Sequence, residues 1–422
     1  MKQATFGTWP SGSIGGPRLN PIRALGPAHM LYSSKCRNFQ RFRPHRASHR
    51  HRRSLTTVPQ QFGTFFLPGP TEVRRDILAA MTQPMLPHRG AAFEALYESL
   101  QRGLQPIFRT KRPVYVSSSS ATGLMEAAVR CAPPGPILAL VNGAFSERFS
   151  AITAACGRDV QIASAAWGQV VPVDDVKAAL SSKRFAAVTV VHSETSTGAL
   201  TDLEALAKVV HAHDSLLLVD SVTGIGGAPV ETDAWNLDFV LTGSQKALAL
   251  PPGLAFGVAS ERFIATASQS ASRGLYFDLV EFEEFTHKNQ TPSTPAISLM
   301  YAADAQCKEI AREGIERRWV RHTSMMEHMH SWVMEARRET GHQLDVLAPL
   351  ESRSPTVTAV KLPPQLSGDA VARAVAERGY TIGAGYGQLK KSTFRVGHMG
   401  DHTVEGLARC LDVVTEVLST FP

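Results

Sequence analysis

The stretch LTGSQKALALPPG, Leu241 to Gly253, places Lys246 just past an apolar run and just before Pro251, Pro252 and Gly253. Lysines are ordinarily solvated, and a helix-start lysine reaching into water is one reading of this position. The other reading is chemical. An amine moved into a desolvated pocket loses proton affinity and attacks a carbonyl to form a Schiff base. That chemistry needs company. Asp220 ends the run LLLVD, and an acid at the C-terminal end of a buried strand faces the crevice where parallel sheets bind ligands. It serves either as an N-cap for the next segment or as the counter-ion of a buried cation. Arg395, in STFRVGHMGD, carries the fork-shaped guanidinium that clamps a carboxylate, or else closes a structural salt bridge.

A protonated pyridine nitrogen is such a cation, and enzymes that use pyridoxal 5′-phosphate (PLP) keep it paired with an acid. Lys246 and Asp220 would then bracket one ring, at its aldehyde and at its nitrogen. Such a ring carries a phosphate. The segment SSSSATGLMEA, Ser117 to Ala127, sets small polar residues where a strand hands over to a helix. Free N–H groups and the positive end of a helix dipole suit an anion there, with Ser120 and Thr122 adding hydroxyls; plain helix capping uses the same residues. Phe145, in VNGAFSERF, can stack on a flat ring or simply fill the core. Thr195, in VHSETSTGAL, can reach a phenolic oxygen or serve its turn.

The elements that must position these groups are set by hydrophobic patterning. PVYVSSSS, PILALVNG, VQIASAAWG, FAAVTVVHSE, SLLLVDSV and DFVLTGSQKAL read as strands. Between the first five run helical segments, ATGLMEAAVRCA, AFSERFSAITAACG, VDDVKAALSS and LTDLEALAKVVHAHD. Near-continuous apolar strands alternating with helices predict an α/β fold, a mostly parallel sheet covered by helices on both faces. Past Pro295 one long helical stretch, or two joined, precedes PTVTAVKL, DAVARAVAERGY, TFRVGHM and TVEGLARCLDVVTEVL, a smaller α+β unit. The expected division is 1–61, 62–310 and 311–422.

The net charge of +7 is misleading. Residues 1–71 carry eleven Lys/Arg and no Asp or Glu, while the remainder holds 33 basic against 37 acidic residues. The basic residues lie in a tail and not in a motif-bearing domain, so nucleic acid finds no support as a partner. No apolar run approaches the ~20 residues of a membrane span. The leader, rich in Arg, His and Ser, reads as disordered. It is a mitochondrial transit peptide, an extension upstream of the true start, or a phosphate-binding arm; a cytoplasmic enzyme is expected, or a mitochondrial one if 1–61 is a transit peptide. Five cysteines lack metal-ligand spacing, which suits free thiols in a reducing compartment. His328 and His330 in HMH stand at i and i+2 of a helix and point apart, so no metal is expected.

The whole set resembles the class V, fold type I PLP-dependent aminotransferases, and within them the alanine–glyoxylate and serine–glyoxylate (serine–pyruvate) branch. FLPGPTEV, SSATGLMEA, NGAFSER, HSETSTGAL, LLLVDSVTGIGG, GSQKALALPPG, TPSTPAISLMY and FRVGHMGD run in family order from about Phe62 to the C-terminus. The resemblance implies the fold type I architecture, PLP, and Lys246 as Schiff-base lysine with Asp220 at the pyridine nitrogen. It implies that Thr195 and Gln245 touch PLP, that Phe145 stacks on it, and that Ser120, Ala121 and Thr122 hold its phosphate. Arg395 and Gly69 bind substrate by the same resemblance. Thr291 and Ser293 or Thr294 would reach the phosphate across a homodimer interface. Two positions depart from the pattern: Ala121 stands where relatives commonly have glycine, and Phe145 where close relatives often have Trp.

The implied reaction moves an amino group from a small amino acid, alanine or serine, to a 2-oxo acid such as glyoxylate or pyruvate, in ping-pong order. 2-Aminoethylphosphonate and (S)-ureidoglycine aminotransferases share the pattern. Cysteine desulfurase-like lyases share the fold but need a mobile cysteine, and their lysine usually follows a histidine, not Gln245. A non-enzymatic PLP-fold subunit would not need Lys246, Asp220 and Arg395 intact.

Overall fold

The computed structural model describes residues 62–270 and 273–422; the basic leader of 1–61 lies outside the described residues. The described chain opens on β1 (Phe65–Phe66), α1 (Arg75–Ala80) and α2 (Ala91–Phe108). It continues through β2 (Tyr115–Ser117), α3 (Ala121–Cys131), β3 (Ile137–Val141), α4 (Ala144–Ala155), β4 (Val160–Ser164) and α5 (Val173–Ser182). Next come β5 (Ala187–Val191), β6 (Ser193–Glu194), β7 (Ala199–Leu200), α6 (Leu203–Ala212), β8 (Leu216–Asp220), β9 (Phe239–Gly243) and β10 (Ala255–Ala259). After these stand α7 (Glu261–Ala267), α8 (Leu279–His287), α9 (Ile297–Glu313), α10 (Ile315–Thr340), β11 (Asp345–Val346), β12 (Val357–Lys361), α11 (Gly368–Glu377), β13 (Thr381–Ala384), β14 (Thr393–Gly397) and α12 (Val404–Leu418).

Seven strands form the large sheet in the order β2-β10-β9-β8-β5-β3-β4. Pairs among β4, β3, β5, β8 and β9 are parallel. Their residues are buried on both faces from β3 to β9, as helix-covered parallel strands must be, whereas the edge strand β4 is partly exposed. One strand carries no signal of its own in the sequence. AFGVA forms β10, antiparallel to both β9 and β2. The connection from β9 to β10 is too short to hold a crossover helix, so the chain can only turn back beside the strand it left. DFVLTGSQKAL is correspondingly not one strand: β9 stops at Gly243, and Lys246 sits in the loop of this hairpin, not at a helix start.

The long helical stretch after Pro295 is two helices, α9 and α10, joined at Gly314. The smaller sheet runs β1-β13-β14-β12-β11. Its core gathers Phe66, Met325, Met329, Trp332, Phe394 and the apolar face of α12. Among the described residues no helix is long and apolar enough to cross a membrane. Register aligns Val191 with Asp220, Asp220 with Leu241, and Gly243, through Ala255, with Ser117. The ends of β2, β5, β8 and β9 therefore share one edge of the large sheet, where side chains from separate segments converge.

Candidate active site

Lys246 is held from both sides of its backbone. Thr71 N–H donates to the Gln245 carbonyl at 2.9 Å, and Thr71 Oγ1 donates to the Lys246 carbonyl at 3.0 Å. Arg318, itself 2% exposed, donates from Nη2 to the Ala247 carbonyl at 2.8 Å and pairs with Asp401 at 2.9 Å. Ser244 pins the loop from within by donating to the Pro251 carbonyl at 2.7 Å. The Lys246 amine is buried, donates to the Pro68 carbonyl, and lies 5.8 Å from the centroid of the Phe145 ring. Burial, reinforced by the positive charge of Arg395, pulls it from the usual 10.5 down to about 8, against the attraction of Asp220 and Glu194. The solvated-lysine reading does not hold.

Asp220 is 2% exposed. Its Oδ1 accepts the Val222 N–H at 2.8 Å, a turn bond to the residue two ahead and not a helix cap. Oδ2 has no protein donor among the described residues. Burial raises this carboxyl to about 7; the Val222 bond and Lys246 oppose the rise, and Glu194 adds to it.

Phe145 occupies the first turn of α4 and stacks on Tyr386, centroids 5.5 Å apart. Arg148, one turn on, touches both members of this pair: its Nη2 is 3.3 Å from the Tyr386 hydroxyl, and its guanidinium is 4.8 Å from the Phe145 centroid. Arg395 is 5.3 Å from the Tyr386 centroid. It donates from Nε to the Ala384 carbonyl at 3.0 Å and from Nη1 to the Thr195 carbonyl at 3.1 Å. Among the described residues no carboxylate pairs with it, so the salt-bridge reading does not hold here. Burial lowers it to about 10. A buried guanidinium satisfied only by carbonyls, with Nη2 free of protein acceptors, is a site for an anion. Thr195 lies in a turn, its hydroxyl 2.5 Å from that of Thr223 just past Asp220.

The start of α3 leaves donors free. Ser120 is its N-cap but makes no side-chain cap bond, and no acceptor meets the N–H groups of Ala121 and Thr122 among the described residues. Gln245 is half-buried beside Gly243, and its side chain makes no hydrogen bond among the described residues. Thr291 is buried, its hydroxyl donating to the Ser293 carbonyl at 2.7 Å, while Ser293 and Thr294 are exposed. This segment borders the serine loop of its own chain, the Ala296 N–H donating to Ser118 Oγ at 2.8 Å. Gly69, with φ +100°, lies against Lys246, and a Cβ there would overlap the lysine side chain.

Three residues that sequence patterning does not single out belong to this cluster. Tyr386 and Arg148 offered no signal, because their role comes from a contact between distant segments. Glu194 did offer one: an acid in HSETSTGAL between a strand end and a run of small polar residues. It lies in β6, fully buried, with its carboxylate against the start of α4. His328 and His330 are partly buried on α10, and no described group of three ligating side chains could hold a metal ion.

The donor set fits PLP. It offers a desolvated amine, a buried carboxyl with one oxygen unclaimed, unpaired N–H groups at a helix start and a flat ring beside the amine. The aminotransferase class V family model matches residues 78–397. The chain is 30% identical over 347 residues to the L-aspartate–glyoxylate aminotransferase of Paracoccus denitrificans, covering 80% of this chain and 86% of the relative. It is likewise 30% identical over 364 residues to the serine–glyoxylate aminotransferase of Arabidopsis thaliana, covering 84% and 89%. The crystal structure of alanine–glyoxylate aminotransferase from Nostoc sp. superposes with a TM-score of 0.80 at 31% identity, over 86% of this chain and 96% of that one.

Proposed function

Because this chain belongs to the class V aminotransferases, enzymes that work with PLP, we propose that it moves the amino group of alanine or serine to glyoxylate or another short 2-oxo acid. The observation that carries this reading is the buried Lys246 amine, which feels the charges of Asp220 and Arg395, with Arg395 ion-paired to no carboxylate among the described residues. Bound PLP supplies an aldehyde that condenses with amines and a ring that accepts the electrons released at the substrate α-carbon.

The protein does the rest. Arg395 Nη2 and its neighbouring N–H groups orient the substrate carboxylate. Lys246 Nζ, its proton affinity lowered by burial, takes the α-proton and returns it. Asp220 Oδ2 would pair with the protonated ring nitrogen. The N–H groups of Ala121 and Thr122, with the hydroxyls of Ser120 and Thr122, would hold the phosphate, and Phe145 would cover the ring. The assembly is a homodimer in which Thr291 and Ser293 or Thr294 of each subunit complete the other's phosphate site; the family resemblance supports this. The division at residues 310/311 is proposed from the change in sequence pattern past Pro295; it falls within α9, which ends at Glu313. A desulfurase reading is disfavoured by Cys307, which is buried in α9 with its thiol pushed up to about 12 by burial.

The test is the visible absorbance of purified protein, wild type beside Lys246→Ala, with alanine, serine and aspartate added singly. A yellow band, altered in the variant and bleached by alanine or serine in the wild type, is expected. A protein that takes up PLP but answers to no amino acid overturns the reading, and a response to aspartate alone replaces the donor.

A further inference from the structure

Glu194 is a glutamate with no exposed surface. Its Oε2 accepts the Ser146 N–H at 3.0 Å and the Phe145 N–H at 3.2 Å; its Oε1 accepts the Ser196 N–H at 3.1 Å and Ser196 Oγ at 2.6 Å. Ser196 Oγ in turn accepts the Ala144 N–H at 3.0 Å. Together the two side chains take the first three N–H groups of α4, the turn that carries Phe145. The fit is close: a Cβ on Gly143 would overlap the Glu194 side chain.

A cap of this kind needs only a serine or an aspartate on the helix itself. Here the acceptor comes from β6, 48 residues beyond Ser146, and it is charged. The residue after it, Thr195, gives its carbonyl to Arg395 and its hydroxyl to Thr223. One tripeptide, Glu194 to Ser196, thus bonds the backbone of Phe145, the Arg395 guanidinium and Thr223 in the loop after Asp220.

Resting on the transaminase reading above, we propose that Glu194 is a positioning residue for the reaction. It fixes Phe145 through the first turn of α4 and presents a buried negative charge to the cluster of Lys246, Asp220 and Arg395. The groups facing Lys246 are Arg395 and Arg148, which weaken its hold on a proton, and Asp220 and Glu194, which strengthen it. Removing the Glu194 charge therefore makes the lysine nitrogen release its proton at lower pH. It also frees Asp220 from a like charge that favours its protonated form.

The experiment uses Glu194→Gln holoenzyme beside wild type. The visible band of bound PLP is followed against pH without amino acid, since its midpoint reports the proton at the lysine nitrogen, and kcat, KM and melting temperature are measured. Gln keeps the size but sets an amide NH2 against backbone N–H donors. The midpoint is expected to fall by about one pH unit, or about tenfold in proton affinity, with kcat reduced and KM for the amino acid little changed. Ser196→Ala removes the bond to the Ala144 N–H and the hydroxyl's bond to Glu194 Oε1 but keeps the carboxylate, held by the Ser146, Phe145 and Ser196 N–H groups, so it lowers the melting temperature with a far smaller movement of the midpoint. A wild-type midpoint in Glu194→Gln, or equal shifts in both variants, makes Glu194 a helix cap only. If Glu194→Gln does not fold, Glu194→Asp decides: the midpoint holds while the shorter reach displaces Phe145 and lowers kcat, and unchanged kcat overturns the positioning role. A wild type that answers to no amino acid defeats the transaminase reading and leaves the midpoint comparison standing.

Discussion

Gly69 and Lys246 compete for one volume: the amine donates to the carbonyl of Pro68, and any Cβ on the next residue would fall on the lysine side chain. The backbone of Gly69, at φ +100°, is also one that L side chains rarely adopt. The strand just before it, β1, pairs with β13 of the small sheet. The position of the Lys246 amine is thereby coupled to the small sheet through a short run of chain, Leu67 to Gly69.

Gly69→Ala tests that coupling. Forcing a side chain into this conformation costs about 1–3 kcal/mol, and the lysine must yield besides. The apoprotein should lose stability by about that amount in urea titrations, and PLP should bind more weakly. Wild-type PLP affinity in a destabilised variant would show that the amine tolerates displacement and that the fit matters to folding alone.

Arg395 is the second point of control. Its carbonyl partners are neutral, so its charge is left for a ligand, and charge-assisted bonds are worth about 1.5–3 kcal/mol each. Arg395→Ala is therefore expected to raise KM for the amino donor by about tenfold to a hundredfold while leaving the PLP absorbance in place. Arg395→Lys should recover part of the loss, since an ammonium supplies charge but not the fork. Steady-state kinetics with the donor varied decide it; a lower kcat at unchanged KM would move the carboxylate contact elsewhere.

Asp220 gives the apoprotein a pH signature. Its folded pKa, raised from 3.8 to about 7, lies above the unfolded value. Its contribution to stability is thus fully present below about pH 4 and is lost as pH rises through about 7. Lys246, lowered from 10.5 to about 8, runs the other way: its contribution is present above about pH 10.5 and is lost as pH falls through about 8. The difference in melting temperature between wild-type and Asp220→Asn apoproteins should therefore change sign or narrow across about pH 4 to 7, with the variant more stable at the upper end and poor at binding PLP. Parallel melting curves over that range would deny the carboxyl its buried cost.

Much of this was legible in the sequence, and for a physical reason. Parallel strands buried on both faces must be apolar throughout, so β3, β5, β8 and β9 stand out, and the residues just past their ends fall at the ligand edge. That logic singled out Asp220, Thr195 and Phe145, while Ser120 came from the run of serines between β2 and α3. It failed where position depends on pairing. β10 is five small and apolar residues with no alternation, and only its return along β9 makes it a strand. Without that return Lys246 reads as a helix start, whereas the hairpin loop buries it. Tyr386 and Arg148 meet at Phe145 through contacts between segments more than two hundred residues apart, which no local pattern records.

Phe145 carries the last prediction. It is partly exposed, stacked on Tyr386, and near the lysine amine. Aromatic pairing is worth about 0.5–1.5 kcal/mol beyond the area it buries. Phe145→Ala should therefore weaken PLP binding at least several-fold, measured by fluorescence on rebinding to apoprotein. It should also speed exchange of the 386–392 segment, measured by hydrogen exchange, because Tyr386 loses its partner. Phe145→Trp adds stacking area at a partly exposed position, so its PLP affinity should equal or exceed the wild type's. Weaker binding by the tryptophan variant, with segment 386–392 loosened, would mean that the ring's main task is to seat Tyr386 and not to cover the cofactor.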